Sequence, residues 1–166
     1  MSSSTNSFTT SDLNDAHPGK VQFVNLPFRD FGAKRKFCGK IRTAVMVEDT
    51  RLVQETLFSS AGDAGVIVLD GGGSIRTALL GDMMAERLIG NGWAGIIING
   101  AVRDCHLLAD LDIGVKALAT SPIRSGKTGS GAIDVPVAFG GVFFEPGNFV
   151  YCDGDGVLVA NEPLTS

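Results

Sequence analysis

Apolar residues follow two rhythms along this chain. "AGVIVLD" (64–70) and "WAGIIIN" (93–99) are short continuous apolar runs, the pattern of strands buried on both faces. "IGVKALAT" (113–120) reads as a third such strand. Between the first two, "TALLGDMMAERLIGNG" (77–92) has apolar residues at 79, 80, 83, 84 and 88. That spacing predicts a helix ending at Gly90 or Gly92. "DCHLLADLD" (104–112) predicts a short helix before the third strand. Upstream, "CGKIRTAVMVE" (38–48) alternates and is rich in β-formers, so it predicts a strand. "DTRLVQETLFSS" (49–60) has helical spacing at Leu52, Val53, Thr56 and Leu57. Thr10 or Ser11 can cap a short helix that "HPG" (17–19) ends.

Strands alternating with helices imply parallel pairing through right-handed crossovers. The last third differs. "AIDVPVAFGGVFFEPGNFVYCDGDGVLVA" is short strands and glycine turns, with "GG" at 140–141 and "DGDG" at 153–156. The expected fold is therefore α/β, with a central parallel or mixed sheet and a C-terminal, mostly antiparallel β part. Residues 1–9 are rich in Ser, Thr and Asn and read as a flexible tail. Residues 10–166 read as one domain.

Composition narrows the function classes. Hydrophobic residues make up 44% of the chain, which excludes a disordered or fibrous protein. The 22 glycines lie between apolar runs and mark tight turns. A net charge of −4 argues against direct nucleic-acid binding, and "AKRK" (33–36) reads as a solvated turn. Cys38, Cys105 and Cys152 are widely spaced and odd in number, which suits a reduced cytoplasm. The N-terminus lacks a secretory pattern, and no apolar run is long enough to span a membrane.

Several motifs fail on inspection. "SPIRSGKTGSG" (121–131) has Ser121 where a phosphate loop needs glycine, and a strand follows instead of a helix. It reads as a mobile glycine-rich loop able to carry Arg124 and Lys127 toward an anionic substrate. "DGGGS" (70–74) is not a dinucleotide fingerprint. His17 and His106 are the only histidines, and neither has the partners of a hydrolytic triad or a metal pair. What remains is Asp82, in the first turn of the helix after "DGGGS", and Arg103–Asp104, just after the second buried strand. Carboxyl ends of parallel strands face one crevice, so these three residues are expected to converge there. A helix start offers free N–H groups to a carboxylate, arginine clamps carboxylates, and aspartate suits Mg²⁺ or Mn²⁺.

From "FRDFGAKRKFCGKI" (28–41) to "YCDGDGVLVA" (151–160), the chain resembles the RraA-like family. This family includes the regulators of ribonuclease activity A and the 4-hydroxy-4-methyl-2-oxoglutarate aldolases. The resemblance rests above all on an Asp, twenty residues, then Arg-Asp, met here by Asp82 and Arg103–Asp104. It implies a swivelling β/β/α fold and a homotrimer with sites between subunits. It also implies divalent-metal aldolase chemistry on a small 2-oxo acid, with oxaloacetate decarboxylation through the same pyruvate enolate. Asp104 then matches the metal ligand, for Mg²⁺ or Mn²⁺, and Arg103 the substrate-binding arginine. The backbone of Gly81, Asp82, Met83 and Met84 matches the substrate cradle, and Asp82 is the candidate base through a metal-bound water. The family's next acid, three residues beyond the Arg-Asp aspartate, is replaced by Leu107; Asp110 and Glu145 are distant substitutes. The resemblance equally implies an alternative, a non-catalytic regulator that binds an RNA-degrading enzyme of ribonuclease E type. A methyltransferase label also used for this family finds no glycine-rich methyl-donor site near the N-terminus.

Overall fold

A computed structural model describes residues 7–165. The strands are β1 (Val21–Phe23), β2 (Arg29–Asp30), β3 (Phe37–Val45), β4 (Val66–Asp70), β5 (Gly95–Asn99), β6 (Ala101–Val102) and β7 (Gly114–Ala117). They continue with β8 (Ala119–Thr120), β9 (Ala132–Ile133), β10 (Val137–Phe139), β11 (Val142–Phe144), β12 (Phe149–Asp153) and β13 (Gly156–Ala160). The helices are α1 (Thr10–Ala16), α2 (Arg51–Glu55), α3 (Asp82–Gly90) and α4 (Cys105–Leu108).

The main sheet runs β1-β13-β12-β3-β4-β5-β7-β2, with β9 also on β3. Its centre, β3-β4-β5-β7, is parallel, as the alternation of strands and helices predicts. Ile67, Leu69, Ile96 and Ile98 face a core shared with Val53, Leu57, Ala85 and Leu88 of the helical layer. Val66, Val68 and Ile97 face the opposite core, which the β10–β11 hairpin covers with Val137, Phe139, Val142 and Phe144. Two buried faces explain why these strands show no polar alternation.

The C-terminal strands are antiparallel, as expected, but they are not a separate part. β12 pairs with Phe37–Lys40 of β3, so the hairpin β12–β13 extends the central sheet. Helix boundaries also shift. The helix expected over 77–92 begins only at Asp82, because the backbone before it is used elsewhere. Ala78 N–H donates to Ile123 O and Leu79 N–H to Ala101 O. The helix expected over 49–60 is α2 followed by a 3-10 turn at Leu57–Ser59. There the Thr56, Ser59 and Ser60 hydroxyls donate to carbonyls four or five residues back. The strand expected over 113–120 breaks at Leu118, whose N–H turns to Gly100 O.

Of the expected tail, residues 1–6 lie outside the described residues. Phe8 is buried edge-on to Tyr151, and the Thr9 side chain caps α1.

Two glycines on adjacent strands, Gly95 and Gly114, make room for the buried Phe37 ring. A Cβ at Gly114 would lie 2.1 Å from that ring. We expect Gly114→Ala to lower stability by about 1–3 kcal/mol through overpacking, read as a shifted urea midpoint. An unchanged midpoint would mean that Phe37 withdraws without cost.

Candidate functional site

The parallel ladder ends at Asp70 of β4 and Asn99 of β5, which pair directly. Asn99 Nδ2 donates to Asp70 Oδ1 at 3.0 Å, closing the sheet edge. Beyond that edge three segments meet: residues 78–84, residues 103–104 and the loop around 124–127. Together with Thr50 and Gln54 of the α2 region they line a cleft of about 260 Å³. The structure therefore brings Gly81, Asp82, Met83, Met84, Arg103 and Asp104 into one place, as the two strand–helix crossovers predict.

The cleft is organised around the Asp104 carboxylate. Asp104 has φ 58° and ψ 40°, a left-handed backbone that aspartate tolerates at a cost of about 1 kcal/mol. Its backbone carbonyl starts α4, accepting from Leu107 and Leu108 N–H. Its side chain does not cap α4. Instead Oδ2 accepts from Asp82 N–H at 3.3 Å, at the first turn of α3. Arg103 Nε lies 3.7 Å from the same oxygen, and Arg103 Nη1 donates to Pro122 O at 3.5 Å. The guanidinium is thus stretched between its neighbour and the glycine-rich loop.

A side chain at position 81 would push the Asp104 carboxylate aside. A Cβ there would sit 2.7 Å from Asp104 Oδ2 and 3.4 Å from Arg103 Cγ. Gly81 is also the N-cap of α3 and offers no side chain to it. The first-turn N–H groups of Met83 and Met84 have no intrahelical acceptor and open beside the cleft. They form a seat for an anion at the positive end of the helix.

One carboxylate in the cleft is open to a cation. The Asp104 side chain is 30% exposed, so its carboxylate is accessible from the cleft. Among the described residues no three His, Cys, Asp or Glu side chains cluster. A cation beside Asp104 would take one protein carboxylate and complete its shell with water and substrate, which suits Mg²⁺. Leu107, on α4, is a half-exposed apolar residue and adds no oxygen ligand. Glu145 lies in the turn before β12, where Gly147 and Asn148 bond to Ile41 at the amino end of the parallel ladder. It is not a cleft residue.

The loop expected to be mobile is pinned. Gly126 N–H donates to Glu48 O, Thr50 N–H donates to Gly126 O, and the Thr50 and Ser125 hydroxyls pair at 2.9 Å. Buried Asp49 does most of the holding. Its carboxylate accepts from Thr128 N–H, the Thr128 hydroxyl, Gly129 N–H and Arg51 N–H. Desolvation pushes this carboxyl up, but those hydrogen bonds outweigh it and bring it to about 2. The anchor is therefore complete above the ordinary carboxyl pKa of about 3.9 and is lost as the pH falls toward about 2. Sequence reasoning singled out Arg124 and Lys127 but missed Asp49, Thr50, Gln54 and Ser125. An acid between a strand and a helix carries no pattern of its own.

A larger cavity, about 670 Å³, lies at the other end of the sheet among Phe8, Phe37, Tyr151 and Leu164. Burial pushes the Cys38 thiol there upward, which disfavours a thiolate nucleophile. The convergent charges are in the smaller cleft.

Comparison with known proteins identifies the family. The RraA-like family (Aldolase/RraA) matches residues 10–159. A protein of Pseudomonas syringae pv. tomato named "Putative 4-hydroxy-4-methyl-2-oxoglutarate aldolase" is 48% identical, over 95% of this chain and 97% of its own length. A protein of the same name from Azotobacter vinelandii is 46% identical, over 95% and 96%. Among solved structures, the RNA-processing inhibitor RraA from Thermus thermophilis is 41% identical with a TM-score of 0.91, covering 96% of each chain. A Geobacillus kaustophilus structure described as an S-adenosylmethionine:2-dimethylmenaquinone methyltransferase is 45% identical with a TM-score of 0.92, covering 95% and 97%. On sequence and fold, the chain belongs to the RraA-like family.

Proposed function

We propose that this protein is a divalent-metal-dependent lyase. It would cleave 4-hydroxy-4-methyl-2-oxoglutarate to pyruvate and, secondarily, decarboxylate oxaloacetate. The observation that carries this reading is the meeting of Arg103, Asp104 and the free start of α3 in one cleft that also holds Arg124 and Lys127. The names of the relatives support the reaction class.

Both reactions break a bond to C3 of a 2-oxo acid and leave its electron pair as pyruvate enolate. In the aldol cleavage the C3–C4 bond breaks, the 4-hydroxyl loses its proton, and C4 becomes the carbonyl of a second pyruvate. In the decarboxylation the same pair is left by departing CO₂. Asp104 would hold the cation, and the cation when bound supplies Lewis-acid stabilisation of the charge developing on the 2-oxo oxygen. Arg103 binds the same end of the substrate and adds charge stabilisation there. The Met83 and Met84 N–H groups receive the C1 carboxylate. Asp82, through a bridging water, takes the 4-hydroxyl proton. Met83 of the cleft, and Leu107 and Ile123 on the segments that carry Asp104 and Arg124, are exposed apolar side chains that suit burial in a homotrimer.

A second reading is favoured by the likeness to the Thermus inhibitor: a regulator that binds an RNA-degrading enzyme. Such binding would be indifferent to Arg103→Ala, whereas catalysis would not.

Purified protein with Mg²⁺ or Mn²⁺ should release pyruvate from both acids above the free-metal background, and chelation should abolish it. Absence of pyruvate release would overturn the lyase reading. Asp104→Ala should lose metal binding by calorimetry. Arg103→Lys keeps the charge but loses the two-pronged geometry, and kcat should fall roughly 100-fold or more. Leu107→Glu, on the short helix that follows Asp104, should tighten metal binding about 10-fold. It should raise aldol cleavage more than decarboxylation, because only cleavage deprotonates a hydroxyl. Unchanged metal dependence in a folded Leu107→Glu protein would count against that role.

A further inference from the structure

Arg124 and Lys127 are both exposed, both line the cleft, and among the described residues neither forms an ion pair. They lie in a segment with glycines at 126, 129 and 131 and a run of exposed residues from 126 to 130. A free loop of this composition would sample many conformations, and two long cationic side chains on it would be poorly aimed. The buried carboxylate of Asp49 removes that freedom. Four donors saturate it, three of them from Thr128 and Gly129, directly after Lys127. On the other side of Lys127, Gly126 is bridged to Asp49 by backbone pairing, and Ser125 is tied to Thr50. Arg124 is in turn bridged to Ala78, on the floor of the cleft. The carboxylate spends its lone pairs on backbone and hydroxyl donors, not on Lys127 Nζ. It therefore fixes the segment without neutralising it.

We propose that Asp49 is a positioning residue: it aims Arg124 and Lys127 at the second carboxylate of the substrate, and so sets a preference for 2-oxo dicarboxylic over 2-oxo monocarboxylic acids. This rests on the lyase reading above. Arg103 and the start of α3 account for one carboxylate, which leaves two cations in the same cleft for another at the far end of a short substrate.

The test is binding by calorimetry, with Mg²⁺ present, of 2-oxoglutarate and of pyruvate, which differ by a distal CH₂–COO⁻ arm and carry no cleavable bond of the proposed kind. The parent protein should bind 2-oxoglutarate more tightly than pyruvate. Asp49→Asn should weaken 2-oxoglutarate binding about tenfold, the loss of roughly one charge-assisted contact, and change pyruvate binding less than about twofold. Lys127→Gln should reproduce that split. Should Asp49→Asn fail to fold, Thr128→Val removes only the hydroxyl contact and should shift the ratio in the same direction by a smaller factor. Equal loss for both acids, or no loss for either, overturns the positioning role while leaving the lyase reading intact. A parent protein that binds neither acid overturns the lyase reading and this proposal with it.

Discussion

The central strands β4 and β5 have no solvent-facing side. Val66, Val68 and Ile97 are fully buried in one core, and Ile67, Leu69, Ile96 and Ile98 in the other. Each such side chain contributes about 1.5–3 kcal/mol by leaving water, so the sandwich of hairpin, sheet and helices is held by this double burial. It also dictates where chemistry can be. A polar side chain inside either strand would be stranded in an apolar layer, so charged groups appear only where the strands stop. Asp70 and Asn99 are those stops, and the segments that leave them carry Asp82, Arg103 and Asp104. The cleft follows from the ladder.

The same constraint explains what could be read from sequence. Continuous apolar runs reveal strands buried on both faces, and strand–helix alternation reveals their parallel order. That was enough to expect Asp82 and Arg103–Asp104 on one sheet edge. Residues 77–81 were misread because their apolar spacing is helical, while their N–H groups are used by Ile123 and Ala101. Such pairing is set by tertiary neighbours and leaves no periodic trace. Asp49 was illegible for a related reason. Its value lies in donors from residues 128 and 129, about 80 positions away.

Lys116 marks where double burial is broken deliberately. It occupies β7 at the position facing the second core, and it is 2% exposed. Its Nζ donates to Asp153 O at 2.6 Å and lies 3.0 Å from Asp30 Oδ1, an ion contact poorly aligned for a hydrogen bond. Asp153 in turn accepts from the Thr10 N–H and hydroxyl. This chain joins β7 and β2 to the end of β12 and to α1. Removing one member would leave a buried charge or carbonyl unpaired, so the network fixes how these elements meet more than it adds net stability. The polar groups at the cleft are different in kind: Arg103 and Asp104 remain about a third exposed and are held by two long contacts each.

Local charge, not net charge, then decides what the cleft can receive. The chain carries −4 overall, yet Arg103, Arg124 and Lys127 line one cleft of about 260 Å³ together with Asp82 and Asp104. Asp104 Oδ2 is already engaged by Asp82 N–H and approached by Arg103, and the start of α3 adds positive potential. Low-dielectric walls built from Leu79 and Leu80 lengthen the reach of these charges. The cleft is too small for a polyanion. The short diacid proposed above would place its charges where the cations stand and its carbon chain against Leu79 and Leu80.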